Sequence, residues 1–231
     1  MSRAWATLRA DGALLLSLLG VVSCLSIFAW VADEVTDQHT QSFDEQLIRQ
    51  LRDPVRPAEP RGPDWLLGAM RDFTALGSAV VLALFVLAVA GALLARRQYH
   101  ALLLLLAAAF GGMLLNIFLK PVFARPRPDL ALRLTEVRTL SFPSGHAMGS
   151  AIVYMTLAAL LARMVQPRAL KLYFVGLAAL LTFLVGTSRV YLGVHYPTDV
   201  LAGWTVGLAW ALLCWTVARH LQRRGSVEPE K

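Results

Sequence analysis

The sequence predicts an all-α, polytopic membrane protein of six transmembrane helices with a short amphipathic helix in the first outer loop. Three observations carry that prediction. The first is composition: 57% of the 231 residues are hydrophobic and 16% are charged, with a mean hydropathy of +0.56. A soluble domain is about 45–50% apolar and about a quarter charged. The second is segmentation, because the apolar residues fall into six runs that reach or approach the roughly 20 needed to cross a hydrocarbon core about 30 Å thick. The third is that three polar clusters stand directly at the ends of those runs. Soluble, disordered and collagen-like classes are excluded.

The first run, residues 12–31, follows a start charged by Arg3 and Arg9. It is longer than the about 7–15 apolar residues of a cleaved signal peptide, so it reads as an uncleaved helix. In the loop 32–64, Ser42-Phe-Asp-Glu45 has the capping-box pattern, with Phe43, Leu47, Ile48 and Leu51 at helical spacing until Pro54. This short helix either lies on the outer membrane face or packs over the loops of the bundle. The remaining runs are 73–95, 101–119, 146–165, 170–187 and 198–218, the fifth of the six being the shortest. Residues 1–222 thus form one six-helix domain, and 223–231 a short polar tail. No repeat of fixed period is visible. Cys24 and Cys214 lie inside apolar runs, which is a packing use of cysteine and gives no disulfide framework.

An even number of spans puts both termini on one side. That side carries eleven basic and three acidic residues, the other eleven and twelve. The basic count is a tie, but on the terminal side the cations crowd helix ends on very short loops, where the positive-inside rule is strongest. The termini are therefore expected in the cytoplasm. The net charge of +7 points to topology rather than to nucleic acid, and the cations on the outer side need their own explanation.

The three clusters supply it. Lys120-Pro-Val-Phe-Ala-Arg125-Pro-Arg127-Pro128 follows the third run, Ser141-Phe-Pro143-Ser144-Gly145-His146 precedes the fourth, and Ser188-Arg189 through His195 to Asp199 joins the fifth to the sixth. Ser144 stands where a helix N-cap would be, and Gly145 lets a ligand approach backbone amides that, with the helix dipole, attract anions. His195 and Asp199 are four apart, so the carboxylate can hold one imidazole nitrogen and leave the other free to attack. His146 could protonate a leaving oxygen. Lys120, Arg127 and Arg189 suit the oxygens of a phosphoryl group in transfer. Taken singly, each pattern is also an ordinary helix start, an interfacial histidine or a cation snorkelling to lipid headgroups. Arg125, Arg133 and Arg138 read as headgroup contacts or loop charges, and Asn116 as an interhelical hydrogen-bonding group.

Together, Lys120-x6-Arg127-Pro128, Pro143-Ser144-Gly145-His146 and Ser188-Arg189-x5-His195-x3-Asp199 closely resemble the tripartite signature of the type 2 phosphatidic acid phosphatase (PAP2) family, in its integral-membrane branch. The resemblance spans nearly the whole chain and no signature position departs from it. It implies a metal-independent lipid phosphatase without cofactor. His195 would attack phosphorus to form a phosphohistidine, Asp199 would orient it, and His146 would protonate the departing oxygen and then activate water. Lys120, Arg127, Ser144, Gly145 and Arg189 would bind the phosphate. Implied substrates are phosphatidic acid, phosphatidylglycerol phosphate or undecaprenyl pyrophosphate in a bacterial membrane, met at the outer face. Two other readings stay open: a phosphotransferase passing the phosphoryl group to a second lipid such as lipid A, and a non-enzymatic lipid transporter or scaffold. The vanadate haloperoxidases share the site pattern, but six spans speak against a soluble oxidant enzyme.

Overall fold

A computed structural model describes residues 3–223 apart from positions 57 and 138; the expected polar tail from 224 onward and Arg138 lie outside the described residues. Eight α-helices run in chain order: α1 (Arg3–Thr36), α2 (Gln41–Gln50), α3 (Asp64–Leu76), α4 (Ala79–Ala95), α5 (Tyr99–Phe123), α6 (Gly145–Met164), α7 (Arg168–Tyr191) and α8 (Pro197–Arg223). The described residues contain no strand, only an isolated bridge between Arg52 and Pro60. Five helices are long and apolar enough to cross a membrane, and α3 with α4 makes a sixth span if the pair counts as one bent unit. The chain is an all-helical, polytopic membrane protein.

Sequence explains most of the helix ends. Pro63 and Pro167 stand in extended conformation just before α3 and α7, where a missing amide costs nothing. Ser78 and Ser144 cap α4 and α6, accepting from the amides of Val81 and Ala147. α5 ends at Phe123 with Ala124 as its C-cap, whose positive φ of 44° lets its amide reach Lys120 O.

α6 and α8 form the centre. In them 56% and 50% of the most apolar stretch is buried within the protein, against 17% in α1, whose outer side faces lipid. The two central helices pack against each other through Gly203 and Gly207, one turn apart on α8. A Cβ at Gly203 would stand 2.7 Å from Ser144 O, and one at Gly207 equally close to Met148 O. This is the small-xxx-small contact that allows membrane helices to bring their backbones together. α5 and α7 flank α6, and α1 runs along α8. Ala108, Met148, Ile152 and Val206 fill the junction of α5, α6 and α8. Towards the site end, Phe142 is fully buried and packs edge-on against Phe123 at 4.8 Å, over Val31, Ala32 and Ala202.

The structure departs from the sequence reading in three places. The second span is not continuous: Gly77 and Ser78 interrupt it, and the two parts meet at 47°. A serine cap after a glycine is a helix start, and it outweighs the unbroken hydropathy of the run. The capping box does not form either. α2 begins at Gln41 with Thr40 making no side-chain cap, and Glu45 is held by Gln41 Nε2 at 2.7 Å. Finally, the fifth run extends past residue 187, so that Ser188 and Arg189 belong to the last turn of α7. Between the two readings of α2, packing over the bundle is the one observed. Ile48 and Asp44 are fully buried, and Leu47 and Leu51 join a cluster with Leu132, Tyr196 and Val200.

Candidate active site

The last turns of α5 and α7 and the first turns of α6 and α8 come together at one end of the bundle, with α2 laid across them. All eight residues singled out from the three motifs converge there. Pro197 opens α8, leaving His195 in the preceding turn and Asp199 in the first helical turn. That turn depends on Gly193, whose φ is +68° and whose Cβ would collide with Leu132 O at 2.2 Å.

His195 is 1% exposed and Asp199 fully buried. Nδ1 of the imidazole lies 3.3 Å from Asp199 Oδ2, and Nε2 lies 3.2 Å from Arg127 Nη1. A guanidinium can only donate, so Nε2 accepts, and Nδ1 carries the proton towards the carboxylate. Burial, opposed by Asp199 and assisted by Arg127 and Arg189, lowers His195 to about 3. The ring is therefore neutral at neutral pH with its lone pair on Nε2, the state a nucleophile requires.

Asp199 accepts from several sides. Besides His195, Oδ2 takes the Ser141 hydroxyl and the Tyr196 amide at 2.9 Å, and Oδ1 takes Arg125 Nη1 at 2.7 Å. Its carbonyl receives the Ser144 amide at 2.9 Å, tying the start of α8 to the cap of α6.

The cations surround this pair. Arg127 donates from Nε to Thr139 O, from Nη1 to Val194 O as well as His195, and from Nη2 to the Thr139 hydroxyl and Leu140 O. Burial first, with Arg133 adding to it and Asp199 opposing, brings its guanidinium down to about 10, so it stays charged. Lys120 Nζ reaches Leu140 O at 2.6 Å and Pro143 O at 3.4 Å. Arg189 is buried in the last turn of α7. Its Nη1 donates to Thr74 at 2.9 Å, while its buried Nε has no partner among the described residues. Lys120, Arg127 and Arg189 all lie within electrostatic reach of His146. None of the three forms an ion pair among the described residues.

His146 is half-buried in the first turn of α6, beside the α3–α4 break: a Cβ at Gly77 would lie 3.3 Å from its ring. The interruption that the hydropathy run concealed thus brings Thr74 to Arg189 and makes room for His146. The Ser144 hydroxyl is buried as a helix cap, so its contribution to an anion is the helix start it creates, whose first amides have no intrahelical partner. Gly145 has a packing reason too, since a Cβ there would lie 3.0 Å from Asn116 Oδ1. Asn116 donates to Met148 Sδ at 3.6 Å, an interhelical contact as expected. Among the described residues no three His, Cys, Asp or Glu side chains gather as a metal site.

Arg125 is the main correction. Read from sequence as a headgroup contact or loop charge, it is only 7% exposed. It bridges Asp199 and Asp44, donating to Asp44 Oδ2 at 2.8 Å, and lies 4.2 Å over the Tyr196 ring. Thr198 and Asp44 were not singled out. The Thr198 hydroxyl donates to Asp44, and its amide does so at 3.2 Å. The available signal for Arg125 was its place in Arg125-Pro-Arg127-Pro128, where alternate residues of an extended segment share a face. Arg133, by contrast, donates to Pro128 O within its own loop.

The sequence and the helical frame both resemble those of known proteins. Residues 99–223 match the PAP2 superfamily. A phosphatidylglycerophosphatase B of Bacillus subtilis (strain 168) is 37% identical over 191 residues, covering 81% of this chain and 89% of its own. A decaprenylphosphoryl-5-phosphoribose phosphatase of Mycobacterium tuberculosis is 33% identical, covering 60% of this chain and 73% of its own. Among solved structures, a transmembrane PAP2 type phosphatidylglycerolphosphate phosphatase from Bacillus subtilis superposes with a TM-score of 0.75 at 34% identity, covering 88% of this chain and 98% of that one. With the motif residues gathered at one end of the same helical frame, the chain belongs to the PAP2 superfamily.

Proposed function

We propose that the protein is an integral-membrane lipid phosphatase that releases phosphate from a lipid phosphomonoester, with a phosphatidylglycerophosphate-type lipid as the first substrate to test. The single observation that carries the reading is His195, held at Nδ1 by Asp199 and facing Arg127 with Nε2, among three cations that no carboxylate of the described residues pairs.

Nε2 attacks phosphorus in line with the lipid oxygen, and the P–O bond breaks as the P–N bond forms. With the substrate phosphate offsetting the three cations beside it, His146 carries the proton that it gives to the departing oxygen. The imidazole of the phosphohistidine keeps the Nδ1 proton, and Asp199 balances the positive charge that develops on the ring. Neutral His146 then takes a proton from water, whose oxygen attacks phosphorus and returns the P–N electrons to Nε2. Lys120, Arg127 and Arg189 hold the equatorial oxygens through both steps, which is where most of the stabilisation in phosphoryl transfer comes from. For the substrate, Arg127 exchanges its donation to Nε2 for a phosphate oxygen. The head group meets this site at the outer face, with the chains remaining in the bilayer and both termini in the cytoplasm.

The test is phosphate release from defined lipid phosphates and pyrophosphates in detergent micelles. The reading expects turnover of phosphatidylglycerophosphate or phosphatidic acid above that of water-soluble phosphate esters. Release from none of the lipids would refute it.

A further inference from the structure

The buried end of α2 forms a second part of the site. Asp44 is fully buried, as is Asp199, and the two carboxylates are joined by one guanidinium. Arg125 gives Nη1 to Asp199 Oδ1 and to the Thr198 hydroxyl, and Nη2 to Asp44 Oδ2 and Gln41 Oε1. Asp44 also receives the hydroxyl and amide of Thr198, the residue beside Asp199. Gln41 donates to the Tyr196 hydroxyl at 3.1 Å, and the Tyr196 ring underlies Arg125. Arg125 and Thr198 link this chain of contacts to Asp199, and none of its hydrogen bonds is to the His195 ring.

Charge gives the arrangement its meaning. A lone Arg125 against Asp199 would be a neutral pair, poorly suited to balancing a cation on His195. Asp44 restores the difference: two carboxylates and one guanidinium carry one net negative charge, matched to the one positive charge that Nε2 attack puts on the imidazole. A buried charge is held only where partners compensate it. On the proposed mechanism, that makes the cluster at rest a prepared counter-charge. We propose that Asp44 and Arg125 are positioning residues for the phosphohistidine step: they fix Asp199 and keep it electrically negative, so the first outer loop takes part in catalysis without touching substrate. This rests on the reading of His195 and Asp199 given above.

The experiment is a double-mutant cycle on purified protein in detergent, with phosphate release and phosphoenzyme trapping as readouts. Asp44→Asn keeps the shape and removes the charge. Its kcat is expected to fall about 10- to 100-fold, the usual loss when a group that orients a functional histidine is removed, with KM within about twofold because no substrate contact is lost. Phosphoenzyme formation should slow by the same factor. In an Asp199→Asn background the further substitution of Asp44 should cost less than about threefold, because Asp44 acts through Asp199. Independent, multiplying losses would overturn the proposal, as would a raised KM at unchanged kcat. Should Asp44→Asn fail to fold, Arg125→Lys carries the same cycle: it keeps the charge but cannot fork between two carboxylates, and the same two outcomes decide. An active Asp199→Asn would instead refute the underlying site, and the single mutants separate that failure from this one.

Discussion

Gly203→Ala tests whether the close approach of α6 and α8 sets the geometry of the site. The added Cβ would stand 2.7 Å from Ser144 O, 3.0 Å from Ala147 Cβ and 3.2 Å from Met148 N, where ordinary contact begins at 3.4 Å. Two of these obstacles are backbone atoms, so no side chain can swing away, and the helices must part by several tenths of an ångström. Overpacking of this kind costs about 1–3 kcal/mol, while replacing a helical glycine by alanine returns up to about 1 kcal/mol. The net loss is then up to about 2 kcal/mol, which at about 2–4 °C per kcal/mol for a chain of this size lowers Tm by up to about 8 °C. Activity is more sensitive, because the displaced atoms are the cap of α6 and the start of α8, linked by the Ser144 amide and Asp199 O. A 1 Å misplacement costs about 10²-fold, so a shift of a few tenths should lower kcat by about tenfold. Thermal unfolding in detergent and phosphate release measure the two effects. Gly207→Ala, pressing on Met148 O one turn further from the site, should lose similar stability and less activity. Gly176→Ala on α7, with nothing within 4 Å, should leave kcat unchanged and raise Tm by about 2–4 °C, because only the helix-propensity gain remains. A Gly203→Ala protein with unchanged Tm and kcat, or equal kcat losses at 203 and 207, would refute the reasoning.

His195→Asn should cut phosphate release by about 10³-fold or more and abolish the labelled phosphoenzyme trapped on denaturing gels from radiolabelled lipid; label that persists would remove His195 as nucleophile. The same substitution reports on pH. His195 lies near 3 in the fold against an ordinary 6.5, so below about pH 6.5 the unfolded chain takes up this proton first and stability falls as pH drops towards 3. The wild-type Tm should therefore fall more steeply than that of His195→Asn between pH 6.5 and 4, and parallel curves would contradict the neutral, buried imidazole. Dialysis against EDTA should leave phosphate release within about twofold of its starting value, whereas loss of activity restored by a divalent cation would exclude the proposed chemistry. A reporter fused to the C-terminus should be active only as a cytoplasmic fusion, and the opposite result would invert the proposed topology.

What sequence made legible, and what it hid, follows from how far each contact reaches along the chain. The six apolar runs were readable because membrane crossing imposes length and hydrophobicity on every residue of a segment. The three motifs were readable because each lies within a dozen residues at a helix end, where caps and i, i+4 pairs have fixed spacing. The break at Gly77 and Ser78 was not, since hydropathy counts apolar residues and does not register a serine cap inside a run that stays apolar on both sides. Nor could spacing give the partner of Arg125. Asp44 is 81 positions away, and within its own segment it looked like the third member of a capping pattern. The capping box itself lost to tertiary structure: Asp44 is drawn inward to Thr198 and Arg125, and the helix starts a turn-fraction earlier to present it.

The same comparison sorts five cations at the site end of the bundle, Lys120, Arg125, Arg127, Arg133 and Arg189, which a topology argument alone treats as exceptions. They divide by their partners. Arg125 is balanced by carboxylates on both arms of its fork, and its charge is spent inside the protein. Arg133 is held by a carbonyl of its own loop. Lys120, Arg127 and Arg189 are partly or wholly buried, yet among the described residues their partners are carbonyls, hydroxyls and, for Arg127, the His195 ring. Carbonyl oxygens orient a cation without neutralising it, and burying three like charges together is costly unless an anion joins them. Asp199, the nearest carboxylate, cannot serve, because Arg125, Ser141, Tyr196 and His195 already saturate it. The protein thus spends its buried acidic groups on one arginine and leaves three cations around a neutral histidine. That imbalance favours an anion carrying two negative charges over one carrying a single charge, which is the difference between a phosphomonoester and the phosphodiester head groups of the surrounding bilayer.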